Sequence, residues 1–141
     1  MYLPDVNVWL ALAFEGHVHH VPAVAWFGRS AVDGCAFCRL TQQGFLRLAT
    51  NPSAFGDEAV TCARAWELYD QFTADARILF ADEPANLETA WREYSSRRSY
   101  SPKSWSDSYV AAFSRSAGLR LVSFDQGLLQ YANVDLVLLQ A

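Results

Sequence analysis

Three aspartates stand where apolar segments of the sequence end or where a helix is expected to begin. Asp5 follows the apolar start MYLP, and Asp125 directly follows the apolar run LRLVSF. Asp107 lies in PKSWSDSYVAAF near a helix start, where the helix dipole favours a carboxylate. Carboxylates that converge repel one another unless a cation joins them, and Mg²⁺ and Mn²⁺ prefer such oxygen ligands. This pattern favours a metal site formed by Asp5, Asp107 and Asp125.

Each aspartate also has a purely structural interpretation. Asp at a strand-to-helix junction commonly caps the following helix, which suits Asp5 and Asp125. Asp107 would then be a solvated carboxylate in the first turn of its helix. Asp5 forms a D-x-N pattern with Asn7, and Asp125 ends an apolar run, so the three together favour a shared site.

Apolar runs and helical patterns alternate along the chain. Continuous apolar runs suit strands that are covered on both faces, and they lie at 1–6, 35–40, 76–81, 119–124 and 134–139. Helical spacing fills the intervals; Ser104 is a candidate N-cap for the helix with Asp107, and Gly118 is placed to end it. This alternation predicts an α/β fold with a central, mostly parallel sheet of four to five strands. Ligands of such sheets bind beyond the carboxyl ends of the strands.

Composition indicates one globular domain. The chain has 141 residues, of which 52% are hydrophobic, so a single domain spanning 1–141 is expected. A formal charge of −4 argues against broad electrostatic binding of nucleic acid, although bound cations can invert the charge of a local site. No apolar stretch approaches the ~20 residues of a membrane span. No signal-peptide pattern is visible either, so we expect a cytoplasmic protein with no membrane contact.

Three motifs carry a resemblance to a known family. They are DVNVWLALAF, TQQGFLRLATNP and SDSYVAAFSRSAGLRLVSFDQGL, in this order along the chain. Together they resemble PIN-domain proteins and, more narrowly, the VapC-type ribonuclease toxins of bacterial toxin–antitoxin pairs. The resemblance spans nearly the whole chain, and its C-terminal block is the most specific part. It implies a PIN-like α/β/α sandwich around the parallel sheet.

The resemblance also implies an activity and partners. It implies a Mg²⁺-dependent endoribonuclease, with Mn²⁺ as an alternative ion, that hydrolyses RNA phosphodiester bonds with metal-activated water. The family's acidic cluster maps onto Asp5, Asp107 and Asp125 as metal ligands, and Asn7 matches the polar position after the first Asp. Such a protein is the toxin of a type II toxin–antitoxin pair. An RNA substrate, a cognate VapB-like antitoxin that blocks the acidic pocket, and a homodimer are therefore implied.

One position departs from the family pattern. PIN nucleases usually carry a Glu on the helix after the second strand, whereas this chain has Gln42, Gln43 and Gly44 in that region. An amide can bind a metal or hold a water molecule but brings no charge, so Gln43 is the candidate substitute. The departure keeps open a catalytically weakened PIN-fold module that binds RNA or antitoxin. A phosphohydrolase with Asp5 as nucleophile is a third hypothesis, although D-x-N is a poor match to its two-Asp motif.

Two segments contain candidate RNA contacts. In HVHH no further ligands at zinc spacing accompany the histidines. A capping or packing role suits them best, and His17 is also a candidate for positioning RNA. The segment WREYSSRRSYSPKSWSD mixes basic and aromatic residues, a combination that suits single-stranded RNA. Its candidate contacts are Arg97, Arg98 and Lys103. Solvated charge at a helix end explains the same segment equally well.

Overall fold

The computed structural model describes residues 1–97 and 101–140, and in it a sheet lies between two layers of helices. The strands of the sheet are β1 Tyr2–Pro4, β2 Cys35–Phe37, β3 Ile78–Phe80, β4 Arg120–Ser123 and β5 Leu136–Leu138. The helices are α1 Val6–Ala13, α2 His20–Ser30, α3 Arg39–Ala49, α4 Pro52–Phe55, α5 Cys62–Thr73, α6 Leu87–Ser95 and α7 Ser104–Ala117. Short 3₁₀ turns lie at Ala31–Asp33, Gly56–Glu58 and Gln126–Gln130.

The sheet is parallel throughout, with the strand order β3-β2-β1-β4-β5. The strand order reverses between β1 and β4, because β2 and β3 extend the sheet on one side while β4 and β5 extend it on the other. The backbone N–H of Asp5 donates to the carbonyl of Val122 at 2.8 Å and joins the end of β1 to β4. Sheets of this class bind ligands at such a reversal point. The predicted α/β fold with a parallel sheet is confirmed.

The central strands β1 and β2 are apolar and fully buried because both faces of the sheet are covered there, whereas β3, at one edge, leaves Leu79 and Phe80 exposed. Tyr2 and Val122 pack with α1, α2, α3 and α5 on one face, whereas Leu3 and Leu121 pack with α6 and α7 on the other. Within the first layer the ring of Trp9 stacks on that of Phe37 with 3.9 Å between centroids. Burial of one such side chain stabilises the fold by roughly 1.5–3 kcal/mol. None of the described helices has the length and apolar character needed to cross a membrane.

Two boundaries differ from the sequence-based expectation. The second strand ends at Phe37 rather than at residue 40, because the Thr41 hydroxyl accepts from the backbone N–H of Cys38 at 3.0 Å and starts α3 early. Ser104 is the first residue of α7 rather than its cap, and its hydroxyl accepts from the N–H of Ser101. Gly118 ends α7 in the left-handed region with φ of 67°, as predicted.

Candidate active site

The Asp5 carboxylate lies at the carboxyl end of β1 and is engaged through both oxygens. Oδ1 accepts from the backbone N–H of Val6 at 2.8 Å and so caps α1. Oδ2 accepts from the hydroxyl of Ser123 at 2.9 Å and from the amide of Asn7 at 3.3 Å. Burial raises the pKa of Asp5, and the charge of Asp125 adds to this rise, while the hydrogen bonds from Val6 and Ser123 oppose it. Asp5 is therefore both a helix cap and a member of a side-chain network.

Ser123 is the centre of that network. Its fully buried hydroxyl donates to Asp5 and accepts from the Asn7 amide at 2.9 Å and from the backbone N–H of Asp125 at 3.0 Å. The Asn7 carbonyl oxygen accepts from the N–H of Phe124 at 3.2 Å. These bonds fasten the end of β1 to the end of β4. They hold Asp5 and Asp125 at the same edge of the sheet.

Asp125 also combines a capping role with a place at the site. Its Oδ1 accepts from the backbone N–H of Gly127 at 2.8 Å, which caps the turn Gln126–Gln130. Its Oδ2 accepts from the ammonium of Lys103 at 3.0 Å. Burial acts to raise the pKa of Asp125, but the Gly127 N–H and the Lys103 charge outweigh it and hold this pKa below its ordinary value.

Asp107 is the least stabilised of the three carboxylates. It lies half-buried in the first turn of α7, and no side-chain hydrogen bond engages it among residues 1–97 and 101–140. Burial raises its pKa to about 6, the charges of Asp5 and Asp125 contribute to the rise, and Lys103 opposes it. A carboxylate in this position gains more than its neighbours from a nearby cation.

The three aspartates line one cleft of about 380 Å³. The start of α7, with Lys103, forms one wall of the cleft. The opposite wall is one face of α3, and it presents Leu40, Gly44, Leu48 and Arg47. The carboxylates therefore face an apolar wall with a single cation on it, and α3 contributes no acidic side chain to this cleft.

Gly44 explains why the α3 wall is so flat. A Cβ atom at this position would lie 2.6 Å from Cγ2 of Val6, the first residue of α1. Helices α1 and α3 thus approach each other through the space that a side chain at position 44 would occupy. An acidic residue there would require Val6 to move, because a β-branched side chain has little freedom to turn away.

A divalent cation fits the chemistry of these donors. Carboxylates outnumber the one ammonium group that lies among them, and Asp107 has no hydrogen-bond donor in the described part of the chain. Over the same residues, no three His, Cys, Asp or Glu side chains are close enough to surround an ion by themselves. Mg²⁺ commonly uses only one or two carboxylates and keeps several water molecules, so it does not require such a closed set.

The structure places Gln43 away from the carboxylates. Gln43 is exposed and lines a separate depression of about 510 Å³ beside α5. Gln42 is buried, and its Oε1 accepts from the guanidinium of Arg39 at 2.6 Å. Positions 43 and 44 differ by about 100° around a helix, so only Gly44 shares a face with Leu40. The amide that was expected to replace the family Glu does not reach the cleft.

The candidate RNA contacts lie in three places. Lys103 is in the cleft itself. Arg97 lines a neighbouring depression that also contains Asp107, and its guanidinium lies 4.7 Å from the ring centroid of Tyr131. His17 lines a recess that shares Leu10 and Leu48 with the cleft. Arg98 lies outside the described residues.

Arg47 is the residue at this cleft that the sequence analysis missed. It lies in the FLRL motif, three positions after Gly44, and it lines both the cleft and the depression that contains Gln43. Its guanidinium is exposed, and the ion pairs among the described residues do not include it. The helical spacing from Gly44 was the signal that would have found it.

Comparisons with known proteins agree with this architecture. Residues 2–134 match the family described as the PIN domain. The chain is 44% identical to Ribonuclease VapC41 of Mycobacterium tuberculosis, with 99% of each chain covered. It is 31% identical to Ribonuclease VapC38 of the same organism, over 94% of this chain and 90% of the relative.

Solved structures resemble the chain in fold. VapBC2 from Rickettsia felis, bound to a DNA fragment from its promoter, superposes with a TM-score of 0.74 at 12% identity over 99% of this chain and 98% of that one. VapC20 of Mycobacterium tuberculosis, described as a sarcin–ricin loop cleaving toxin, superposes with a TM-score of 0.64 at 17% identity, over 95% of this chain and 98% of that one. The family match covers nearly the whole chain. This chain therefore belongs to the PIN domain family and, within it, to the VapC group.

Proposed function

We propose that this chain is a Mg²⁺-dependent endoribonuclease and the toxin of a type II toxin–antitoxin pair. One observation carries the proposal: Asp5 after β1, Asp107 in α7 and Asp125 after β4 line one open cleft at the point where the strand order reverses. Relatives at 44% and 31% identity that are named ribonucleases support it.

The three aspartates would hold one or two divalent ions, Mg²⁺ or Mn²⁺. Such an ion supplies a nucleophilic water at neutral pH and withdraws charge from the phosphoryl oxygens and the leaving group. Ser123 and Asn7 keep the Asp5 carboxylate in a fixed orientation through the bonds described above. No protein side chain is needed as a general base.

The walls of the cleft supply contacts to the RNA backbone. Lys103 lies on the α7 side and Arg47 on the α3 side of the cleft. An RNA strand that runs through the cleft past the carboxylates therefore passes between two cations. Phosphate contacts position a nucleic acid without reading its sequence. Arg97 and His17, in the two flanking depressions, would extend this path in both directions.

We further propose a VapB-like antitoxin and a homodimeric toxin. The fold similarity to VapBC2 supports a partner of this kind. A segment of the antitoxin that enters the mouth of the cleft would exclude RNA from the carboxylates. Such a segment needs cationic side chains, because the cleft has more carboxylates than cations.

The α3 wall also favours a second candidate function. Because α3 presents Leu40 and Gly44, and no acidic residue, to the cleft with the carboxylates, the chain is alternatively a catalytically weakened module that binds RNA or antitoxin. The two functions differ in one property, which is metal-dependent cleavage.

The test is cleavage of a mixed pool of small RNAs by antitoxin-free protein with Mg²⁺ or Mn²⁺. Asp5→Asn and a chelator serve as controls; Asn keeps a side-chain oxygen that can still cap α1. We expect cleavage that both controls abolish, and products with 5′-phosphate and 3′-hydroxyl ends. Cleavage that survives Asp5→Asn rules out this site. Absence of cleavage with either metal, together with retained RNA binding, supports the binding module.

A further inference from the structure

A second recess adjoins the cleft and continues its apolar floor. It has a volume of about 430 Å³ and shares Leu10 and Leu48 with the cleft. Beyond these two leucines its walls include His17, Phe55 and Glu58. If an RNA strand places one phosphate at the carboxylates, a neighbouring base of that RNA lies over Leu10 and Leu48 and enters this recess. The position suits recognition of a single nucleotide beside the scissile bond.

Glu58 supplies two hydrogen-bond acceptors at the rim of the recess. It ends the turn Gly56–Glu58 and is exposed. Its carboxylate lies against the backbone at Gly16, since a Cβ atom there would come within 2.8 Å of Oε1. Over residues 1–97 and 101–140 neither an ion pair nor a side-chain hydrogen bond engages this carboxylate, and both of its oxygens lie beside Gly16, which has no side chain to cover them. Both oxygens therefore remain available to a ligand.

His17 supplies a hydrogen-bond donor. Its Nδ1 accepts from the backbone N–H of His19 at 3.0 Å, so the neutral ring carries its proton on Nε2. Burial lowers the pKa of His17, and the neighbouring His19 and His20 lower it further, which keeps the ring neutral at pH 7.

Phe55 supplies an aromatic surface of fixed orientation. Its ring stacks on that of Phe14 with 4.5 Å between centroids and an angle of 24° between planes. The His17 ring lies 6.2 Å from it. Aromatic side chains held in this way are the usual platforms for unpaired bases.

We infer that this recess binds a guanine base next to the scissile phosphate, with Glu58 as the residue that selects it. This inference rests on the proposed ribonuclease function. Guanine has two adjacent donors, N1–H and the N2 amino group, which match the two oxygens of one carboxylate. Its O6 and N7 accept, which matches the donor on His17. Adenine, cytosine and uracil lack a pair of adjacent donors on one edge.

The first experiment maps cleavage ends in the RNA pool. We expect guanine at one fixed position beside the cleaved bond in the wild-type products. Oligonucleotides that carry guanine, inosine or adenine at that position then measure the preference. Inosine lacks only the N2 amino group and so loses one of the two hydrogen bonds to the carboxylate; we expect its cleavage efficiency to be lower by about 10- to 150-fold, the range for one hydrogen bond to a charged group.

Glu58→Gln tests the assignment, and Asp57→Asn, one residue earlier in the same exposed turn, is the matched control. We expect Glu58→Gln to cleave guanine and inosine substrates alike, while Asp57→Asn keeps the preference. Cleavage with no guanine preference, or with a preference that Glu58→Gln leaves intact, would overturn the inference.

Binding separates this inference from the proposed function. Fluorescence anisotropy measures the affinity of the protein for the same oligonucleotides in the presence of a chelator, where no RNA is cleaved. Discrimination between guanine and inosine that Glu58→Gln removes supports the recess, even where no RNA is cut. The wild-type protein could instead bind the two oligonucleotides equally and cut RNA without base preference. That result would reject the guanine site but leave the proposed ribonuclease function standing.

Discussion

The Lys103 ammonium lies 3.0 Å from Oδ2 of Asp125 and joins the start of α7 to the end of β4. The hydrogen bond to Asp125 raises the pKa of Lys103, and the charges of Asp125, Asp107 and Asp5 add to the rise. This ammonium group therefore remains charged at neutral pH. It serves as an internal counter-ion at the cleft where a divalent cation would bind.

Removal of this counter-ion should strengthen metal binding. In Lys103→Met the Asp125 carboxylate loses its competing partner, and an exposed pair of this kind is worth about 0.2–1 kcal/mol. We expect Mn²⁺ affinity to rise by up to about fivefold, as measured by titration calorimetry on antitoxin-free protein. RNA cleavage should fall, because a phosphate contact is lost. Arg92→Met, which breaks an exposed pair with Glu88 on α6, is the control and should leave the affinity unchanged. Equal affinity in wild type and Lys103→Met would contradict the counter-ion role.

Asp107→Asn should stabilise the metal-free protein at neutral pH. The folded-state pKa of about 6 lies above the ordinary value of 3.8. The folded state therefore binds the proton more tightly, and stability falls as pH rises from about 4 to about 6. Above this window the wild-type protein has a buried charge that the variant lacks. We expect a higher Tm for Asp107→Asn at pH 7.5 and nearly equal Tm values near pH 4. The same Tm difference at both pH values would refute the burial argument.

Ser123→Ala should disturb the site more than an equally buried serine elsewhere. The change removes a donor to Asp5 and an acceptor for Asn7 and for the backbone of Asp125. Partners left unsatisfied cost about 1–3 kcal/mol, which denaturant unfolding would detect. Ser114 is the matched control, since it is also fully buried, but within the described part of the chain its hydroxyl bonds only to the carbonyl of Ala111 in α7. We expect Ser123→Ala to lose both stability and RNA cleavage, whereas Ser114→Ala loses stability alone. Full cleavage by Ser123→Ala would show that Asp5 needs no such support.

The effect of Gly44→Ala on the free energy of unfolding should depend on the side chain at position 6. In the wild-type background the new Cβ would lie 2.6 Å from Val6, and overpacking of this kind costs about 1–3 kcal/mol. In a Val6→Ala background the collision is gone, and Ala is favoured over Gly inside a helix by about 1 kcal/mol. A double-mutant cycle measured by urea unfolding should therefore show destabilisation in the first background and a smaller loss or a gain in the second. Equal effects in both backgrounds would refute close packing of α1 on α3 as the reason for Gly44.

Local patterns in the sequence were sufficient to predict much of this structure. Continuous apolar runs located the strands, because the central strands β1 and β2 are buried on both faces and contain no charged residue. Gly118 located the end of α7, since a left-handed residue is a local requirement. The predicted start of α3 was wrong by two residues, because Cys is an unusual N-cap residue. Its backbone N–H donates to the hydroxyl of Thr41, and this bond fixes the helix start at Cys38.

The sequence by itself determined the residue types of the site: three aspartates that follow apolar strands or begin a helix, and an α3 helix without an acidic residue. Only the tertiary structure decided which side chains meet. Asp5 and Asp125 are far apart in sequence, and they share a cleft because β1 pairs with β4 and Ser123 bonds to both sides. Likewise Gln43 faces α5 while Gly44 faces the carboxylates, and Arg47 lies between the two depressions and lines both. The rotation of a helix about its axis is set by packing, here of Gly44 against Val6, and such a contact is absent from any local stretch of sequence.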